Sequence, residues 1–171
     1  MRAFLDFEAS SLGKKSYPIE VGWVFEDGRE KSYLIKPAPG WTEWDAAAEA
    51  VHGITREKLL AEGTSHEVVC DRIVQLFEGN VVYASSPPWD GKWLSMLLRG
   101  AGRPRHLLRL RDTEEALVEA ARATLGEGAD DAVVAEVIAM ARASVEAQPA
   151  THRALADARR EWEVWRKVGS E

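Results

Sequence analysis

Apolar and polar positions follow two different periods along the 171 residues, and the change of period divides the chain. Residues 2–8 form a short apolar run in which Leu5 and Phe7 alternate with Asp6 and Glu8, the period-two pattern of a strand. Residues 19–26 and 30–36 read as two more strands flanking Asp27-Gly28, a strong hairpin signal, and Pro37, Pro39 and Gly40 end that hairpin. Over 65–77 the period becomes helical, with Val68, Val69, Ile73, Leu76 and Phe77 on one stripe and Gly79-Asn80 closing it. Residues 81–84 form a short buried-type strand. Ser85 or Ser86 then caps a helix whose first turn accepts Pro87 and Pro88 and which runs to about Leu98, near Gly100 and Gly102. Residues 107–111 offer one more strand.

The remainder is helical. Asp112-Thr113-Glu114-Glu115 has capping-box character, with Gly126 as the stop. Val134, Val137, Ile138, Ala141 and Val145 make one apolar stripe, ended by Pro149, and Leu155, Ala158, Trp162 and Trp165 make another. Strands, then strand–helix alternation, then helices: the order predicts an α/β layer arrangement with a mixed sheet.

Composition narrows the function classes. Hydrophobic residues are 46% and charged residues 29%, which excludes wholesale disorder. Cys70 is the single cysteine, so an intramolecular disulfide and a multi-thiolate zinc cluster are both excluded. The net charge is −6 and the isoelectric point about 5.3, so any polyanionic partner must be held locally, by a metal or a basic patch. No apolar stretch reaches the ~20 residues of a membrane span. Met1 leads straight into the first strand with no room for a signal peptide, which sets a cytoplasmic location as the expectation.

Some carboxylates sit awkwardly in this pattern. Asp6 and Glu8, two apart on a strand, share a face with α-carbons about 6.6 Å apart. Two acids side by side in a core strand repel each other and lose hydration; a divalent cation between them removes both penalties, while an exposed edge strand is the plain alternative. Asp90 shares a helical stripe with Leu94 and Leu97, which puts an acid at the N-terminal end of a core-facing stripe; a charge favouring the helix dipole is the plain alternative. His152 and Asp157 are five apart, about 140° around a helix, so His152 belongs to the lead-in and Asp157 to the helix proper. Ala154 and Ala158 allow that helix to approach a sheet closely. A surface His and a surface Asp are the plain alternative.

Taken together, these segments resemble the DEDDh 3′–5′ exonucleases, the proofreading-exonuclease branch of the ribonuclease H-like superfamily. The first motif is Phe4-Leu5-Asp6-Phe7-Glu8-Ala9-Ser10-Ser11-Leu12, the second Tyr83-Ala84-Ser85-Ser86-Pro87-Pro88-Trp89-Asp90, the third His152-Arg153-Ala154-Leu155-Ala156-Asp157-Ala158. Pro18-Ile19-Glu20-Val21-Gly22 is similar to the family's second strand, and Glu49-Ala50-Val51-His52-Gly53-Ile54-Thr55 to the segment after its third. The chain departs from the second motif by carrying Ser86 for the usual Asn and Trp89 for the usual Phe; Trp89 keeps an aromatic wall.

The resemblance implies a ribonuclease H-like fold, with a mixed five-stranded sheet flanked by helices in a single exonuclease domain over residues 1–171. It implies hydrolysis of phosphodiester bonds at the 3′ end of single-stranded DNA or RNA, releasing nucleoside 5′-monophosphates. Two divalent cations, Mg²⁺ or Mn²⁺, suit an all-carboxylate donor set. By resemblance, Asp6, Glu8 and Asp157 bind them directly, Asp90 acts through water or the second ion, and His152 is the general base, a role suited to a side chain that ordinarily titrates near 6.5. Ala9 and Ser10 would meet the terminal hydroxyl, Leu12 the last bases, and Trp89 the substrate. Hydrolysis of very short oligonucleotides or dinucleotides, and non-catalytic nucleic-acid binding on the same fold, are the alternatives.

Trp41, Trp44 and Trp89 offer base stacking or plain packing, with packing favoured. Arg99, Arg103, Arg105, His106, Arg109 and Arg111 form a basic island that either tracks a phosphate backbone or is a solvated loop. Cys70 reads as core, His66 as surface and His52 as structural. The Trp162/Trp165 face serves as core or as interface, which leaves a homodimer open.

Overall fold

The computed structural model describes residues 1–145 and 152–170. Six strands form one sheet: β1 (Arg2–Ala9), β2 (Pro18–Phe25), β3 (Glu30–Lys36), β4 (Thr64–Ser65), β5 (Val81–Ala84) and β6 (Leu110–Asp112), in the order β4-β3-β2-β1-β5-β6. β1, β2 and β3 pair antiparallel as a meander, whereas β5 joins β1 and β6 joins β5 in parallel. The expected hairpin forms, with Gly28 taking a φ of 85° that a side chain would resist.

The sheet has six strands where five were expected. The extra one, β4, is two residues long and pairs parallel with the end of β3; so short a segment has no period to read. β6 covers 110–112 and not 107–111. Two short helices also went unread: α1 (Ala46–His52), capped by Asp45, and α2 (Arg56–Glu62), capped by Thr55. Each has a single buried residue, His52 and Leu59, too few to make a stripe.

The longer helices fall where the period placed them: α3 (His66–Phe77), α4 (Pro87–Gly100), α5 (Thr113–Leu125), α6 (Asp131–Val145) and α7 (Ala154–Val168). Asp112 and Glu115 form the capping box of α5, while Ser86 flanks α4 without a side-chain cap bond. Pro149, read as a helix stop, lies outside the described residues. α3 and α4 cover one face of the sheet, where Leu5 and Phe7 meet Val69, Ile73, Phe77, Leu94 and Leu97. α5 and α7 cover the other face, where Phe4 and Tyr83 pack with Ala116, Trp162 and Trp165. The Trp162/Trp165 face is therefore taken up within the chain.

The strand alternation has one consequence for chemistry. With Leu5 and Phe7 directed at the α3/α4 layer, Asp6 and Glu8 must face α7. α7 reaches them because Gly22 on β2 has no side chain: a Cβ there would overlap the backbone of Ala154 and Leu155.

Candidate active site

Asp6 and Glu8 on β1 and Asp157 in the first turn of α7 offer carboxylate oxygens that all lie within 4.8 Å of one another. Each of the three is partly exposed, so the cluster opens to solvent from one side.

Asp90 reaches the same strand from the opposite layer. It is 2% exposed at the start of α4, and its Oδ1 accepts from the backbone N–H of Phe7, between the two strand acids, at 3.3 Å. It stands outside the trio, but its charge bears on Asp6. Asp90 does lie in the first turn of α4, where its charge favours the helix dipole, but it is buried against β1 and so does more than that.

The site is short of protons or cations. Burial, then the charges of Asp90, Glu8 and Asp157, push Asp6 well above the ordinary carboxylate range. Burial and neighbouring Asp157 and Glu20 push Glu8 up to about 8, against the moderating charge of Arg153. Burial pushes Asp90 up to about 7, although the Phe7 and Ser86 N–H groups favour its charged form. Burial also raises Asp157, opposed by Arg160 and His152. Among the described residues, Asp90 Oδ2 and Asp157 Oδ1 are buried without a hydrogen-bond partner, Arg160 lying 3.3 Å from the latter in an ion pair. The converging carboxylate oxygens of Asp6, Glu8 and Asp157 are the donor set of a hard divalent cation, and the residues present fit one.

His152 is exposed immediately before α7, with a φ of 47°, in the left-handed region. It lies close enough to Asp157 to favour that carboxylate's charge.

Beside Glu8 lies a cavity of about 350 Å³, lined by Ala9, Ser11, Leu12, Ala48, Val51 and His52, among others. Leu12 is 70% exposed at its mouth. Ser10 is not part of this lining: it is fully buried, its N–H and hydroxyl bonded to Tyr17 and its carbonyl accepting from Asp45. Trp89 stands behind, stacked on Trp93, which does line the cavity, with ring centroids 5.7 Å apart. Lys92 ties the loop after β1 to α4, donating to the Gly13 carbonyl and the Ser16 hydroxyl.

One histidine reading needs revision and another gains a second aspect. His66, read as surface, is buried against Trp41 and held to the Gly100 carbonyl at 3.1 Å, because α3 starts beneath the end of α4. His52 has the structural bond expected of it, Nδ1 accepting from Ile54 N–H, but its ring also lines the cavity. Cys70 is core as read. Trp41 stacks on Tyr17, and Trp44 donates to Glu49. In the basic island, Arg103 pairs with Asp71 and Arg111 with Glu115 and Glu119, while Arg105, His106 and Arg109 line a second cavity beside α4.

Sequence reasoning passed over Glu20 and Glu161. Glu20 is a buried acid in the middle of a wholly buried strand, the same anomaly that singled out Asp6 and Glu8. Glu161, one turn after Asp157, keeps Oε2 buried without a hydrogen-bond partner, and its charge reaches Asp6.

Solved structures share this architecture. Exonuclease I from Methylocaldum szegediense superposes with a TM-score of 0.69 over 98% of the chain at 22% identity. A zinc-bound E. coli ExoI–ssDNA complex superposes with a TM-score of 0.66 over 94% at 16% identity. The fold is ribonuclease H-like. The chain spans 40% and 38% of the length of those two proteins. An E. coli exonuclease I complex with a dT13 oligonucleotide matches at a TM-score of 0.56 and 17% identity, over 76% of the chain and 31% of its own. No protein-family model matches the sequence, and a search of curated proteins finds no significant relative. Among the described residues, no helix is long and apolar enough to cross a membrane.

Proposed function

We propose that this chain is a metal-dependent 3′–5′ exonuclease that hydrolyses the terminal phosphodiester bond of single-stranded nucleic acid and releases nucleoside 5′-monophosphates. The observation that carries the reading is the convergence of Asp6, Glu8 and Asp157, with oxygens within 4.8 Å of one another, next to a one-sided cavity. The fold shared with exonuclease I supports it.

Asp6, Glu8 and Asp157 would hold the cations, Mg²⁺ or Mn²⁺, and Asp90 would act through water from the α4 side. The cations, when bound, would activate water and neutralise charge on the phosphate and the leaving oxygen. His152 takes the proton of the attacking water and, being exposed, passes it to solvent. Ala9 and Leu12 receive the terminal nucleotide in the cavity beside Glu8. Ser10 holds the strand end that presents Ala9, and Trp89 backs the pocket through Trp93.

A degradation panel tests this: labelled single- and double-stranded DNA and RNA, plus a dinucleotide, each with Mg²⁺, with Mn²⁺ and with chelator. The expected result is stepwise loss of 5′-mononucleotides from the 3′ end of single strands, abolished by chelator. Internal cuts, 5′-end shortening or metal-independent turnover would overturn the proposal. Cleavage confined to the dinucleotide would reassign the chain to short oligonucleotides.

A further inference from the structure

Glu20 lies directly across from Glu8 in the β1–β2 register, yet it is not one of the converging trio. It is 3% exposed, and its carboxylate accepts four hydrogen bonds from the segment that opens α7. Arg153 Nε donates at 3.0 and 3.2 Å, Arg153 Nη2 at 2.6 Å, and the backbone N–H of Ala154 at 3.0 Å. Arg153 flanks α7 at its N-terminus and supplies no side-chain cap. Glu20 provides that missing acceptor from the sheet, 134 residues away from Ala154. Gly22, two residues along β2, removes the side chain that would hold α7 off. An ion pair that buries its carboxylate is a poor route to stability, since the hydration lost by that group offsets the attraction; what such a pair does well is fix one geometry.

The residue next to this anchor is His152, exposed and in a left-handed conformation that no side-chain bond of its own to the described residues secures. We propose that Glu20 and Arg153 are positioning residues, which hold His152 in register with the carboxylate cluster. The proposal rests on the nuclease reading above for the role of His152. The two-pronged guanidinium sets the direction of the chain at 153, the Ala154 bond sets its height on the sheet, and together they determine where residue 152 stands. Neither residue touches substrate.

Two mild substitutions test it. Arg153→Lys keeps the charge and loses the planar fork; Glu20→Gln keeps the shape and loses the charge. For each, kcat is expected to fall roughly 10- to 100-fold, with KM unchanged and circular dichroism native; Mn²⁺ affinity is expected to stay unchanged in Arg153→Lys, which keeps every charge around the cluster. In a His152→Ala background neither substitution should reduce activity further, because what they position is gone. The metal-free protein gives an independent readout: the His152 ring resonances should be displaced from random-coil positions in the wild type and return to them in Arg153→Lys. Losses that multiply onto His152→Ala, or an unmoved His152 resonance, would overturn the proposal. A wild-type chain that degrades nothing would count against the nuclease reading, while the resonance still decides whether the pair positions His152.

Discussion

The backbone N–H of Phe7 donates to Asp90 Oδ1 at 3.3 Å, and this bond joins the two layers of the molecule at the acid cluster. It places the α4 acid against the strand segment that carries Asp6 and Glu8, and leaves Asp90 Oδ2 buried without a partner. Asp90→Asn keeps an acceptor for Phe7 and removes a buried charge. Metal-free stability at pH 8 should rise, because the buried charge is gone, while turnover drops about 10- to 100-fold. Thermal melting beside a nuclease assay decides it; full turnover in the variant removes Asp90 from the machinery.

The acids make stability depend on pH in an unusual direction. Glu8 is pushed up to about 8 and Asp90 to about 7, whereas in the unfolded chain both return to about 4. Between those limits the native protein binds more protons than the unfolded one, so stability falls as pH rises from about 4 to 8. Differential scanning calorimetry of metal-free protein should show Tm decreasing from pH 5 to pH 8. Mn²⁺ should restore it, more at pH 8 than at pH 5, because ligating carboxylates must be deprotonated. A metal-free Tm that climbs across this range would contradict the picture.

His152 is exposed, whereas Asp6 is half-buried among other acids, so their loss should read differently. His152→Ala should leave stability within about 0.5 kcal/mol and reduce turnover about 10²- to 10⁴-fold, with Mn²⁺ still bound. Asp6→Asn should abolish turnover and Mn²⁺ binding together while raising the metal-free Tm at pH 8, since one of the mutually repelling charges is gone. Titration calorimetry with Mn²⁺ separates the two; a His152 variant that loses the metal would assign that side chain a ligand's role.

Leu12 is 70% exposed at the mouth of the cavity and adds little to the core. Leu12→Ala should change stability by less than about 0.5 kcal/mol and raise KM for oligonucleotides with kcat little changed. Steady-state kinetics on a labelled single strand test this, and an unaltered KM would place the substrate elsewhere.

Gly22→Ala places a methyl group into the backbone of Ala154 and Leu155, where no flexible side chain can yield. A stability loss of about 1–3 kcal/mol and a displaced α7 are expected, with Mn²⁺ affinity lowered because Asp157 moves. Chemical denaturation and Mn²⁺ titration report the two effects; a fully stable variant would mean that the helix does not rest on the strand.

Much of this was legible in order along the chain. The alternation of Leu5 and Phe7 with Asp6 and Glu8 fixed which face the acids take, because a strand has only two faces and one had to meet α3 and α4. The stripe Asp90, Leu94, Leu97 likewise foretold an acid at a core-facing helix start. What stayed hidden was short or non-local. β4 has two residues and α1 and α2 seven each, below the length at which a period can be counted. His66 was read as surface because nothing near it in the chain announces the Gly100 carbonyl and Trp41 that enclose it.

From residue order alone come the α/β layering and the side of each element that carries its acids, since these follow from local periodicity; the choice of Asp6, Glu8, Asp90, Asp157 and His152 as a set comes from the resemblance of their motifs to a family. That Asp6, Glu8 and Asp157 meet was implied by the resemblance and is observed in the tertiary structure, which alone decided that Asp90 is bound by Phe7 and that Glu20 and Arg153 hold the start of α7. Contacts between residues more than a hundred positions apart leave no period to read; they exist because a meander and two helical layers close on one strand.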